Sequence, residues 1–228
     1  MTICRSAYPP VSRSLPPAAH GPPRWLCTRC GGSCRVRARN GLRTGARVEG
    51  DERLRLFCAL LLPSAAVDDL VAWQTAELTP RGERLRVVSP ENLHVTLAFL
   101  GATPSARAGD VVAALQEACR GRERPLFAVE RYRETRSVAM IVLTDEGGRG
   151  GSVAEALFAA LEVRGLYQRE QRRWMPHVTV SRFRDRPRLT PPLPEVGEVT
   201  PSDAAVMISR LRPGGAQYEV FESVSLGG

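Results

Sequence analysis

The sequence predicts a mixed strand–helix domain built on a duplicated strand–helix–strand unit, and three observations carry that reading. Two of the three histidines stand in near-identical tetrads, His94-Val95-Thr96-Leu97 and His177-Val178-Thr179-Val180. A strand-like run precedes each tetrad at a similar distance: the run from Leu54 starts 40 residues before His94, and the run from Val138 starts 39 before His177. Each interval also contains one amphipathic helical stretch, so the unit repeats as a whole. Packing of the halves about a pseudo-two-fold axis would make the tetrads symmetry mates facing one central cleft.

The elements follow in order. Arg53-Leu54-Arg55-Leu56-Phe57 alternates and runs into an apolar stretch, which reads as a strand. Pro63-Ser64 opens a helix to about Glu77, with Ser64 as N-cap and Val67, Leu70 and Val71 on one face. Residues 80–83 are a loop, Leu85 to Val88 a short strand, and Leu93 to Leu100 a longer strand ended by Gly101. Ser105 to Cys119 reads as a helix through Val111, Val112, Leu115 and Cys119. Leu126 to Arg133 and Val138 to Leu143 alternate like a hairpin pair. The glycine-rich run 147–151 lacks the Lys-Ser/Thr pair of a P-loop. Ser152-x-x-Glu155 reads as a capping box for a helix with Leu157, Phe158 and Leu161 inward, stopped by Gly165. His177 to Phe183 is a strand, Arg184 to Glu195 a Pro- and Arg-rich loop, and Ala204 to Leu211 and Tyr218 to Leu226 two last strands about a Gly214-Gly215 turn.

Composition bounds the function classes. The chain has 228 residues, 43% of them hydrophobic, which is enough to form a core. Its longest apolar run, Leu56 to Pro63, is strand-sized and too short to span a bilayer. Transmembrane, collagenous and wholly disordered classes are excluded. The net charge of +8 is regional: residues 1–50 hold nine Arg and one Glu, while residues 51–228 hold 23 Arg and 23 acids. There is no lysine, and all 32 cationic residues are Arg. Arg suits forked recognition of phosphate, but here a GC-rich coding bias explains the pattern as well.

The chain divides at about residue 50. Residues 1–50 are rich in Arg, Pro and Gly, with few aliphatics and no periodicity, and are expected to form a disordered extension. Two alternatives stay open for this segment. Cys27, Cys30 and Cys34, with His20, have the donors of a four-ligand zinc site, although only one CxxC knuckle is present. A start near Val48 would remove the segment altogether. Residues 51–228 form the expected folded domain. Cys58 and Cys119 read as buried hydrophobes. Residues 1–25 carry six prolines and no uninterrupted apolar stretch, so a reducing cytoplasm is expected.

The tetrads carry the chemistry. In a strand, His and Thr two residues apart share one face, and the intervening Val95, Leu97, Val178 and Val180 point into the core. That face offers two imidazoles and two hydroxyls. With an ordinary pKa near 6.5, one imidazole charged and one neutral form a general acid–base pair around neutral pH. Hydroxyls beside them suit the non-bridging oxygens of a phosphate. A lone histidine is usually a hydrogen-bonded structural residue, but two in equivalent places of a duplicated unit are not explained that way. A zinc pair would need a third ligand, and the nearest acid is Asp185.

The stretch Pro90-Glu91-Asn92-Leu93-His94-Val95-Thr96-Leu97-Ala98-Phe99-Leu100-Gly101 resembles the first motif of the bacterial and archaeal RNA 2′,3′-cyclic phosphodiesterases. These were first named 2′-5′ RNA ligases and belong to the two-histidine phosphoesterase superfamily. Trp174-Met175-Pro176-His177-Val178-Thr179-Val180-Ser181-Arg182 resembles their second motif, and Tyr218-Glu219-Val220 matches an element near their end. The resemblance runs from about Arg53 to Gly228. It implies an α+β, bilobal fold with two antiparallel sheets around a central cleft and helices outside. It implies metal-independent hydrolysis of an RNA terminal 2′,3′-cyclic phosphate to a 2′-phosphomonoester, with no cofactor and no metal. His94 would be the proton donor to the departing 3′ oxygen and His177 the proton acceptor that activates water. Thr96 and Thr179 would hold phosphate oxygens, and Arg182 would balance their charge. Arg182 shares the strand parity of Val180, so spacing alone does not aim it at the cleft. The strand Ser137-Val138-Ala139-Met140-Ile141 lacks an aromatic that relatives often carry there. The expected partner is RNA or an oligonucleotide ending in a 2′,3′-cyclic phosphate, with no membrane, and the expected state is a monomer. The alternatives are two-histidine chemistry on 2′-5′-linked or ADP-ribose cyclic phosphate substrates, and a non-catalytic module that binds RNA ends. Ligation is the reverse reaction on the same groups.

Overall fold

Strand β1 (Arg53–Leu61) explains its own continuous apolar run, because both of its faces are covered. Leu56, Cys58 and Leu60 enter the main core under the helices. Phe57 and Ala59 pack on the other face with Ala205 and Met207. The computed structural model describes residues 52–82, 84–212 and 215–227. The expectations for residues 1–50, including a zinc site at Cys27, Cys30 and Cys34, and the turn residue Gly214 lie outside the described residues.

The remaining elements are α1 (Ser64–Trp73), β2 (Arg86–Val87), β3 (His94–Pro104), α2 (Ala108–Cys119), β4 (Phe127–Glu134), β5 (Val138–Asp145), α3 (Arg149–Val163), β6 (His177–Arg182), β7 (Asp203–Arg212) and β8 (Gly215–Ser225). The strands form one antiparallel sheet in the order β4-β5-β6-β3-β1-β7-β8, with β2 paired to β6. The two expected halves are visible as β4-β5-β6 and β3-β1-β7-β8. They join at a single ladder pair, Val95 with Val178, in the middle of the two tetrads. The fold is the α+β arrangement expected, with the two sheets continuous through that seam. Buried side chains of α1, α2 and α3 share the core with Leu56, Val95, Leu97, Ile141, Val178 and Val180. Cys58 and Cys119 are buried, and burial pushes their thiols up to about 12 and about 11.

Local chemistry corrects four expectations. Ser64 does not cap α1. Pro63 holds the N-cap position with extended ψ, and its carbonyl accepts from the Val67 amide at 3.1 Å. The Ser152 capping box is also absent, because α3 begins three residues earlier. There the Asp145 carboxylate, at the end of β5, accepts from the Gly150 and Gly151 amides at 2.9 and 2.7 Å. Gly150 is required at that point, since a Cβ would stand 2.7 Å from the Phe127 ring. Gly101 does not end its strand; it sits at a bulge with φ +70, and β3 continues to Pro104. Finally, α1 does not run on as regular α-helix to Glu77. It changes to a π turn over Gln74–Leu78, which buries Gln74. Gly165 does terminate α3: its amide bonds to Glu162 and that of Leu166 to Leu161, the paired pattern of a Schellman stop. The loop after β6 is pinned by Glu134, whose carboxylate accepts from the Arg188 and Leu189 amides at 2.9 and 2.8 Å. No helix among the described residues is long and apolar enough to cross a membrane.

Candidate active site

The duplicated unit is duplicated in register as well as in sequence. Leu61, Leu60 and Ala59 of β1 face His94, Val95 and Thr96. Val142, Ile141 and Met140 of β5 face His177, Val178 and Thr179 in the same order. Both strand pairs then slip by one residue, at Leu97 in β3 and at Val180 in β6. These slips are matched bulges, and a bulge reverses the alternation of faces beyond it. The face change re-aims Arg182 into the cleft beside Thr179, against the parity expected from spacing. In the other half it re-aims Phe99, which is 48% exposed despite its apolar ring.

The imidazoles are oriented alike. His94 Nδ1 donates to the Asn92 carbonyl at 2.8 Å, and His177 Nδ1 donates to the Met175 carbonyl at 2.9 Å. A backbone acceptor on Nδ1 leaves Nε2 of each ring free for the cleft. His94 Nε2 accepts from the Thr96 hydroxyl at 3.0 Å. Phe57 and Tyr218 pack around the His94 ring, with centroids 5.1 and 5.4 Å away. Burial holds His94 down to about pKa 4; the bond to Asn92 opposes this, and the positive charges of His177 and Arg182 add to it. His94 is therefore neutral at neutral pH.

The cleft consists of two adjoining cavities. His94, Thr179 and Arg182 line one of about 750 Å³. His177 and Met140 line the other, of about 570 Å³. Thr96 and Phe99 belong to both and form the partition between them. All five expected site residues thus border the cleft, with the histidines on opposite sides of Thr96. Trp174 ties the halves together, its Nε1 donating to the Thr96 carbonyl at 3.0 Å. Among the described residues, no three His, Cys, Asp or Glu side chains converge as metal ligands would.

Several cleft residues were not anticipated from sequence. Arg55 lays its guanidinium over the Phe99 ring at 4.7 Å, and Arg86 enters the His94 side from β2. Both read as solvated arginines in a chain with 32 of them. Asn92 and Met175 act through backbone carbonyls, which leave no side-chain signature.

This paired-histidine geometry coincides with what comparison finds. Residues 60–136 match a family model described as LigT like Phosphoesterase. Over these residues the chain is similar to the LigT-like phosphoesterases. Among solved structures it resembles TT0787 of Thermus thermophilus, with 28% identity over 76% of this chain and 98% of that one, and a TM-score of 0.65. It shares its fold with E. coli LigT complexed with 3′-AMP, at 20% identity, 78% and 100% coverage and a TM-score of 0.64. The MHV ns2 PDE domain also matches, at 19% identity, 68% and 99% coverage and a TM-score of 0.50. No curated protein sequence matches the chain. The matched model describes phosphoesterases, which cleave phosphate esters.

Proposed function

We propose that this protein is a phosphoesterase that hydrolyses the terminal 2′,3′-cyclic phosphate of RNA to a 2′-phosphomonoester without a metal ion. The observation that supports this reading most is the matched pair of imidazoles, each with Nδ1 held by a carbonyl two residues upstream. An acid and a base on opposite sides of one phosphorus are what in-line displacement at a phosphodiester requires.

His177 Nε2 takes a proton from water as its oxygen attacks phosphorus. The P–O3′ bond breaks, and His94 Nε2 delivers a proton to O3′, leaving the phosphate on O2′. Thr96 and Thr179 donate to the non-bridging oxygens, and the Arg182 guanidinium balances their charge. His94 must be charged for its part, yet its burial favours the neutral ring at neutral pH. The phosphate anion supplies the correction. It offsets the positive field of Arg182, and draws the Thr96 hydroxyl away from His94 Nε2. Substrate binding and proton uptake by His94 are thereby linked. E. coli LigT, which shares the fold, is solved with 3′-AMP, a nucleotide phosphorylated at the end of the ribose that concerns this mechanism.

The test is incubation of purified protein, in EDTA, with a short RNA ending in a 2′,3′-cyclic phosphate. A terminal 2′-phosphate that disappears with His94→Ala or His177→Ala supports the reading. A folded protein that leaves this end intact rejects it.

A further inference from the structure

Strand β2 is only two residues long, and one of them is Arg86, the direct ladder partner of Arg182 on β6. Directly opposed residues of an antiparallel pair project from the same face, with Cβ atoms about 4.5–5.5 Å apart. Both guanidiniums line the His94 side of the cleft. Neither has a carboxylate within ion-pair distance among the described residues. The one acid on that side, Glu91, is engaged by the Ser89 hydroxyl. Like charges directly opposite each other destabilise a sheet, so this pairing is a standing electrostatic fault unless an anion covers it.

The Arg86 side chain is also seated. Its guanidinium occupies the space into which a Cβ on Gly215 would project, at the start of β8, where φ is +123. A larger residue there would displace it. Arg86 is thus held between β6 and the first residue of β8, one strand spacing, about 4.8 Å, beyond Arg182. Arg182 shares its cavity with Thr179 and His94, where the reacting phosphate sits in the mechanism above. Arg86 stands further out on the His94 side, the side of the departing ribose oxygen.

We propose that Arg86 is a specificity residue that binds a second phosphate, the one on the 5′ carbon of the terminal ribose, while Arg182 binds the reacting one. This rests on the cyclic phosphodiesterase reading and sharpens it. The enzyme would prefer a terminal nucleotide that continues into a chain over a bare nucleoside cyclic phosphate. Two forked guanidiniums one strand apart provide a bidentate partner for each phosphate.

The experiment compares adenosine 2′,3′-cyclic phosphate with its 5′-phosphorylated counterpart in the wild type, Arg86→Met and Arg86→Lys. The readout is the ratio of kcat/KM for the two substrates within each protein. Alongside it, calorimetry compares the binding of adenosine 2′-phosphate with that of adenosine 2′,5′-bisphosphate, which needs no turnover. Charge-assisted hydrogen bonds support a wild-type preference of about 10-fold or more. Arg86→Met is expected to bring the ratio below about 2, with Arg86→Lys between, since it keeps the charge and loses the fork. A ratio unchanged in Arg86→Met, or no preference in the wild type, overturns the clamp. A wild type that hydrolyses neither compound and also leaves an RNA 2′,3′-cyclic end intact rejects the cyclic phosphodiesterase reading instead. The binding pair then decides separately: an affinity difference lost in Arg86→Met supports the clamp, and one retained or absent in the wild type overturns it.

Discussion

Arg182 and Phe99 occupy equivalent places in the two halves of the sheet. Each follows its motif threonine by three residues, beyond a one-residue bulge, and each faces the cleft. One half therefore presents a charge where the other presents an aromatic face, so a near-symmetric scaffold makes an asymmetric site. The two positions should fail differently. Arg182→Met removes charge-assisted bonds to phosphate and is expected to lower kcat/KM about 10- to 100-fold, whatever the base. Phe99→Leu removes a stacking surface and is expected to raise KM with a smaller change in kcat. Steady-state kinetics on purine- and pyrimidine-ended cyclic phosphates checks this. Identical kcat and KM profiles for the two variants would contradict the division of labour.

The paired histidines make a prediction about additivity. General acid and base groups each contribute typically about 10²–10⁴-fold, and His94→Ala and His177→Ala should each lower kcat by that order. Once one partner is gone, the other has little left to do. The double variant should therefore lose far less than the product of the single losses. Single-turnover measurement of all three variants tests the pair; multiplicative losses would mean that the two imidazoles act in separate steps.

His94 also links folding to pH. Its folded pKa, about 4, lies below the unfolded value of about 6.5, because burial and positive neighbours disfavour the imidazolium. Between those values the unfolded chain binds more protons, so stability is full above about pH 6.5 and falls as pH drops towards 4. The slope from this one group is at most about 1.4 kcal/mol per pH unit. The expected outcome is a melting temperature that falls less between pH 6.5 and 4.5 in His94→Gln than in the wild type. Inorganic phosphate should flatten the wild-type curve by raising the His94 pKa. Parallel curves for the two proteins would show that His94 is not held neutral.

Much of this fold was legible because period and punctuation agreed with each other. The alternation in Val95, Leu97, Val178 and Val180 gave the core face of both motif strands, and each of those residues is buried. The elements that misled were those set by distant partners. Asp145 caps α3 from the end of β5, so the local Ser152-x-x-Glu155 pattern had nothing to do. The bulges at Leu97 and Val180 depend on neighbouring strands, so strict alternation alone could not aim Arg182 at the cleft. The histidines and threonines were legible because they lie before the bulges, where simple parity holds. Arg55 and Arg86 were not, because nothing local distinguishes a clefted arginine from a solvated one.

The β6 bulge has a dedicated support, and that support is testable. Gln74 is buried at the turn where α1 changes to π geometry, and its Nε2 donates to the Val180 carbonyl at 2.8 Å and the Val88 carbonyl at 3.1 Å. Val180 is the residue left over in the bulge, and its carbonyl also accepts from the Val88 amide at 3.0 Å. Gln74 does not itself line the cleft; it acts by fixing the turn of backbone that aims Arg182. Gln74→Leu fills similar space and removes both donations, so a stability loss of about 1–3 kcal/mol is expected. A purely structural role would stop there. A positioning role predicts an added fall in kcat/KM that vanishes in a protein already carrying Arg182→Met, because the two changes then act on one contact. A double-mutant cycle, measured well below the melting temperature of the weakest variant, separates these cases. Equal kinetic losses for Gln74→Leu in the wild-type and Arg182→Met backgrounds would assign Gln74 to folding alone.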